Sequence, residues 1–285
     1  MTSDRQDVVQ LTGGPGLAVH GTDGPLRPFL LVHDLDADSR SWDEVAERLY
    51  TAGHQVAAVD LRGHGGSDTP STGYDTDTCA DDLSSLLDSL GFTGARSPVV
   101  VGHGWGANVA MSLAARRDGV AAVCCVDGGW IRPAWQYGSF EECWAAWATG
   151  NPGSDTSATG GGATSANETG AGAAGAGRSG TAGSGSAPEQ RRQSIVRSLF
   201  LGEPRAWFPL IGVPVVLCPL VPPDGRPDAR GRGTATRAGV TEAVSRLPRA
   251  RVSWYYGEGN AVGTDPSKLV DDLLMLAAEA EPQID

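Results

Sequence analysis

Short apolar runs closed by turn residues alternate along this chain with segments whose apolar positions recur at helical spacing, and that alternation restricts the fold more than any other feature. Two strand-like runs come first; strands and helices then take turns, the pattern of a mostly parallel sheet with helices on both faces. The runs predict strands near Val8–Thr12, Leu17–Gly21, Pro28–His33, Gln55–Leu61, Pro98–Gly102, Val120–Val126, Pro214–Leu220 and Arg251–Tyr256. Helical spacing predicts helices at Ser41–Ala52, Thr78–Leu90, Asn108–Arg117, Ala235–Leu247 and Pro266–Ala278. Ser41, with Glu44 three residues on, has the form of a capping box. A chain of 285 residues exceeds the usual single-domain length, but α/β sheets of this size are commonly one domain with an excursion, so one core plus an insert is expected.

The excursion is visible as a break in composition. From about Thr149 to Glu189 the chain is nearly all Gly, Ala, Ser and Thr, which cannot bury enough apolar area to offset its ordering entropy, so a flexible linker is expected. Two tryptophan-containing pieces flank it, IRPAWQYGSFEECWAAW and RRQSIVRSLFLGEPRAWF, and read as the remnants of a helical cap. The expected division is a core of residues 1–129 and 206–285 with a cap over 130–205.

Charge and cysteine usage exclude several classes of partner. A formal charge of −12 and a pI near 4.8 argue against nucleic acid and against an anionic membrane, since neither gains from meeting a net-negative surface. No apolar stretch follows MTSDRQDVVQ and none approaches the ~20 residues that span a bilayer, so a cytoplasmic location is expected. Cys79, Cys124, Cys125, Cys143 and Cys218 are odd in number and lack CxxC spacing. They read as reduced, mostly buried thiols, with no disulfide framework and no metal site.

The segment PFLLVHDLDADSRSWDEVAERLYTAGHQVAAVDLRGHGGSD resembles the α/β-hydrolase stretch that runs from the oxyanion strand through a helix and strand to an RGHGxSD turn. VVVGHGWGANVAMSLAA, Val99 to Ala115, has the setting of the nucleophile elbow G-x-S-x-G, an apolar strand running straight into a helix. Further on, AAVCCVDGGWI resembles the family's sixth strand and the entry to its cap, and GVPVVLCPLVPPD its seventh strand followed by an acid. RVSWYYGEGNAVGTDPSKLVDDLLMLA is similar to the last strand and helix. The resemblance covers nearly everything outside the Gly/Ala tract and implies an α/β-hydrolase fold, a mostly parallel eight-stranded sheet with a reduced cap.

Carried over residue by residue, the family's triad is incomplete. Gly102 and Gly106 keep the elbow, but Gly104 stands at the serine; Asp224 falls near the triad acid, and counting back from Pro266 places Gly259 at the histidine. Serine attack needs a hydroxyl, a base and an orienting acid, and loss of nucleophile and base leaves only binding and any oxyanion hole. The histidine-glycine pair that opens the family's oxyanion loop is here His33-Asp34, and an aspartate there opposes the charge that the hole stabilises. The backbone N–H groups of Leu35 and Trp105 keep the positions that would bind an oxygen, and absence of the serine side chain leaves room at Gly104. An ordinary serine hydrolase is therefore not expected.

Two residues have the chemistry to move a proton without a nucleophile. Asp34 at the mouth of an apolar pocket has the type of a general acid or base, or is a solvated loop residue in an acidic run with Asp36 and Asp38. His103 precedes the elbow apex, where a packing or hydrogen-bonding role is the alternative. Trp105, Trp130, Trp135, Trp144 and Trp147, with Asp127 at the end of its strand, are expected around a ligand pocket between core and cap, or in the packing of cap on core. GHGWGA from Gly102 also satisfies G-x-G-x-x-G/A, with Asp127 downstream, but the match arises only because the elbow serine is glycine. The expected function is a pseudo-hydrolase that binds a small molecule or partner without a cofactor. Alternatives are a lyase, cyclase or isomerase using Asp34 or His103, a weak ester hydrolase, and a dinucleotide binder.

Overall fold

The structure, a computed structural model, is described for residues 5–130, 137–148, 187–221, 234–257 and 259–280. Its strands are β1 (Arg5–Gln10), β2 (Gly16–Thr22), β3 (Leu26–Val32), β4 (His54–Val59), β5 (Val99–His103), β6 (Ala122–Val126), β7 (Val215–Cys218), β8 (Leu220–Val221), β9 (Ala250–Val252) and β10 (Tyr255–Tyr256). The helices are α1 (Asp43–Thr51), α2 (Thr76–Ser89), α3 (Trp105–Arg116), α4 (Phe140–Ala148), α5 (Ala187–Leu201), α6 (Thr234–Arg246), α7 (Ala261–Thr264) and α8 (Pro266–Glu279). The main sheet has eight strands in the order β1-β2-β4-β3-β5-β6-β7-β9. β1 and β2 pair antiparallel, β2 joins β4 antiparallel, and every later pair is parallel. This is the mostly parallel sheet that the alternating pattern implied, in the α/β-hydrolase fold that the resemblance implied.

Side-chain alternation sorts the strands into two cores. Leu30, Val32, Val100, Val123, Cys125, Val215 and Leu217 face one side, where Leu83, Leu86 and Leu87 of α2 and Val109, Ala110 and Leu113 of α3 cover them. Phe29, Leu31, Val99, Val101, Cys124, Val126 and Val216 face the other, covered by Val45 and Leu49 of α1 and Leu269, Leu273 and Leu276 of α8. Cys143 of α4 and Ile195, Val196 and Leu199 of α5 join the first cluster, so these two helices, from the segment expected to form a cap, are anchored in the same apolar mass as the sheet.

Several boundaries differ from the sequence expectation for identifiable reasons. The run predicted as one strand over Pro214–Leu220 divides into β7 and β8 because Pro219 has no N–H for the ladder, and the next N–H, of Leu220, goes to Asp127 Oδ1 at 2.7 Å. The last predicted strand divides in the same way into β9 and β10, and β10 pairs with β8 in a separate two-stranded sheet. Helix α3 starts at Trp105, three residues before its predicted start, since the elbow turns directly into the helix. The capping box at Ser41 is not formed: Asp38 caps a single 3₁₀ turn over Ser39–Trp42, accepting from Arg40 N at 3.0 Å, while Ser41 Oγ donates to Asp38 O. Most of the Gly/Ala tract, residues 149–186, lies outside the described residues.

All five cysteines are free and buried, where mostly buried thiols were expected. Burial raises the Cys79 and Cys125 thiols far above their ordinary value and pushes Cys143 up to about 11. Cys124 and Cys218 meet across β6 and β7 with their sulfurs 3.6 Å apart, and that contact, with burial, raises Cys218 as well. Reactivity needs an accessible thiolate. None of the five is therefore expected to react with Ellman's reagent in the folded protein at pH 8, and all five after unfolding in guanidinium; stoichiometric labelling of the folded chain would contradict this packing.

Candidate functional site

The site is built where β3 and β5 end side by side. After β5 the chain turns through Gly104, whose φ of +53° and ψ of −115° place it in a region that side chains rarely adopt, and enters α3 at once. Gly106 lets α3 close onto β3: a Cβ there would lie 2.4 Å from His33 O and 2.6 Å from Val32 O. The strand thus turns into the helix as tightly as the sequence implied.

The room expected at the apex of the turn is already taken. Asp34 Oδ1 accepts the N–H of Leu35 at 2.8 Å and that of Trp105 at 2.7 Å, the two donors expected to hold a substrate oxygen. A Cβ on Gly104 would sit 2.1 Å from the same Oδ1 and 2.3 Å from the Asp34 carboxyl carbon. Two converging N–H donors suit a charged acceptor. Asp34 is therefore not a solvated loop residue; its carboxylate is bonded to both N–H groups.

His33 holds that loop in place from beneath. It is fully buried, its Nε2 accepts the Leu61 N–H at 3.0 Å, and its Nδ1 therefore carries the proton donated to Asp34 O at 2.7 Å. Burial, with His64 beside it, pushes the His33 imidazole down to about 4 from an ordinary 6.5. The unfolded chain binds this proton more readily, so the stability contributed by neutral His33 is complete above pH 6.5 and is lost as pH falls towards about 4. At about 1.4 kcal/mol per pH unit the loss is roughly 3 kcal/mol. Urea unfolding at pH 7 and at pH 4.5 should show this fall in the native chain and a flatter profile in His33→Gln; equal slopes would sink the assignment.

The other expected residues fall into separate groups. His103 is turned towards Trp42 and Asp127, its ring edge-on to Trp42 at 6.4 Å and its Nε2 3.9 Å from Asp127 Oδ2. Asp127, a non-glycine residue at φ +51°, accepts from Leu220 N at 2.7 Å and Ala261 N at 2.8 Å, and so ties β6 to β8 and α7. Trp105 and Trp130 are core side chains whose buried indole N–H groups meet no acceptor. Gly259 is exposed at φ +87°, so a side chain at that position is strained; Asn260 beside it caps α7, accepting from Gly263 N at 2.8 Å. Asp224 and Trp135 lie outside the described residues.

A cavity of about 520 Å³ opens between the core loops and the cap helices. It is lined by Leu35, Asp36 and Ala37 after β3, by Gly63, His64 and Gly65 of the RGHG turn, by Trp144 and Ala148 of α4, and by residues of α5 including Arg191, Arg192 and Ile195. Gly104, where room for a ligand was expected, is not in the lining; Leu35 is the shared residue, lining the cavity and bonded through its N–H to Asp34. Of the described tryptophans, Trp144 alone is in the lining. The imidazole on this cavity is that of His64, with Nε2 2.9 Å from Leu35 O and Nδ1 3.0 Å from Arg62 O. Sequence reasoning treated RGHG only as a turn, although its histidine was in plain view.

Comparison with known proteins agrees with this architecture. A family model for the alpha/beta hydrolase fold matches residues 27–155. A non-heme chloroperoxidase of Streptomyces lividans is 36% identical over 91 residues, 32% of each chain. Epoxide hydrolase A of Mycobacterium tuberculosis is 37% identical over 119 residues, 40% of this chain and 36% of that one. The matches thus span about a third of the length of these relatives. An esterase structure from Thermogutta terrifontis superposes with a TM-score of 0.69 at 18% identity, covering 98% of this chain and 100% of the esterase. The chain thus has the α/β-hydrolase fold, and the family model for that fold matches just under half of it.

Proposed function

We propose that this protein is a pseudo-hydrolase that binds a small molecule between core and cap and performs no acyl-enzyme chemistry. One observation carries the reading: the Asp34 carboxylate accepts both N–H groups of the oxyanion hole and fills the space in which a side chain at position 104 would begin. A tetrahedral oxyanion would need those two donors at the moment its charge develops, and they are engaged with a charge of the same sign. The same contact counts against a dinucleotide, because the first N–H of α3, where a pyrophosphate would dock, is bonded to Asp34.

The test is hydrolysis of p-nitrophenyl esters of several chain lengths by the native chain and by triple variants, Asp34→Gly and Gly104→Ser with either Gly259→His or, because a side chain at φ +87° is strained, Asn260→His beside it. The native chain should be silent and at least one variant should gain turnover; native turnover that Gly104→Ala abolishes would overturn the reading. A second reading, proton transfer without a nucleophile, is favoured by the close His103 and Asp127 pair. It requires that His103→Ala abolish an isomerase, lyase or cyclase activity while leaving the fold intact.

A further inference from the structure

The cavity between core and cap has a feature beyond its position: it is lined by two consecutive arginines with donors still to be used. Arg192 Nη2 pairs with Asp36 at 3.0 Å, and Arg191 Nη1 donates to Gly63 O, so both guanidinium groups are held against the core loops. The Nε–H of each is nevertheless buried and meets no acceptor. A buried charged donor without a partner is costly, and such groups commonly mark the place of an ion or ligand. The remaining lining has a different character: Leu35, Ala37, Trp144, Ala148 and Ile195 offer an apolar wall.

From this arrangement we infer that the cavity is a site for an amphipathic carboxylate, with the acid head on Arg191 and Arg192 and the hydrocarbon body against Trp144, Ile195 and Leu35. The inference rests on the pseudo-hydrolase reading and names its ligand class. Guanidinium forks recognise carboxylates through short, charge-assisted bonds, and Arg192 is pre-oriented by Asp36. A cavity of about 520 Å³ is within the range that encloses drug-sized molecules. Two carboxylates share the lining: Asp36 is matched by Arg192, and Glu189, exposed on α5, is screened by solvent. His64 also faces the cavity, but its ring nitrogens are directed at the Leu35 and Arg62 carbonyls, so the arginines are the anion's donors.

The experiment is calorimetric titration of the full chain with octanoate, octanamide and octylamine, probes of one length that differ in head-group charge. Octanoate should bind at least tenfold tighter than either of the others, and Arg191→Gln and Arg192→Gln should each bring its affinity down by about tenfold towards that of octanamide. If either variant loses its far-ultraviolet dichroism, the ranking of the three probes on the native chain still decides. Equal or tighter binding of octanamide or octylamine, no heat from any probe at millimolar concentration, or indifference of octanoate to both folded variants would each overturn the inference. Octanoate has no bond to hydrolyse, so its binding is read apart from catalysis. Native turnover of p-nitrophenyl octanoate would remove the pseudo-hydrolase reading while leaving the preference for a carboxylate intact.

Discussion

Gly104→Ser alone should destabilise the protein by about 3 kcal/mol or more and should not create an esterase, although it restores the residue that the elbow presents in hydrolases. Its Cβ would begin 2.1 Å from Asp34 Oδ1, well inside any real contact, and the backbone at φ +53° already disfavours a side chain. Relief requires Asp34 to leave the hole, which breaks its bonds to Leu35 N and Trp105 N. The clash belongs to the pair, so the same substitution in an Asp34→Gly background should cost far less. A double-mutant cycle read by urea unfolding measures this coupling, and strongly coupled neighbours depart from additivity by about 0.5–3 kcal/mol. Additive costs would mean that Asp34 is not the obstacle, and the account of a self-occupied hole would fall with it.

Asp82→Ala should be as damaging, though it lies away from the elbow. Arg62, in the turn that carries His64, donates from Nε to Asp82 Oδ2 at 2.5 Å and from Nη2 to Asp82 Oδ1 at 2.6 Å. Both residues are buried, at 8% and 6% exposure, so truncating the carboxylate strands a guanidinium in the interior. Removing one partner of a buried pair typically costs about 3–5 kcal/mol, whereas replacing both by apolar residues of similar volume is often close to neutral. Urea midpoints of Asp82→Ala and of the double variant Asp82→Leu with Arg62→Met should separate on this basis. A fall of under about 1 kcal/mol in Asp82→Ala would place the pair with solvent-screened surface bridges. Because the turn also supplies Gly63, His64 and Gly65 to the cavity, the single variant should weaken octanoate binding by more than its effect on stability alone explains.

Much of this architecture was readable along the chain. Short apolar runs closed by turn residues located all eight strands of the main sheet to within a few residues, because a strand covered on both faces is apolar at successive positions. The spacing of Gly102, Gly104 and Gly106 between an apolar strand and a helix located the tight turn at the end of β5. The burial of the five thiols followed from the company they keep. Errors arose where one residue altered the local ladder, as Pro219 did, or where a neighbouring acid such as Asp38 took the capping role from Ser41.

The site itself was a different matter. Asp34 could be identified as an unusual residue, but its sequence neighbours, Asp36 and Asp38, suggested either a general base or a solvated acid. Its actual partner, Trp105 N, is 71 positions away. The cavity likewise joins Gly63 to Arg191, 128 positions apart. The sequence by itself determined which segments would be strands, helices and tight turns, since those depend on period, glycine and proline acting over a few residues. Only the tertiary structure decided which donors a carboxylate would find and which arginines would enclose a cavity, because a buried polar group settles on the partners that converge around it in space, whatever their separation along the chain.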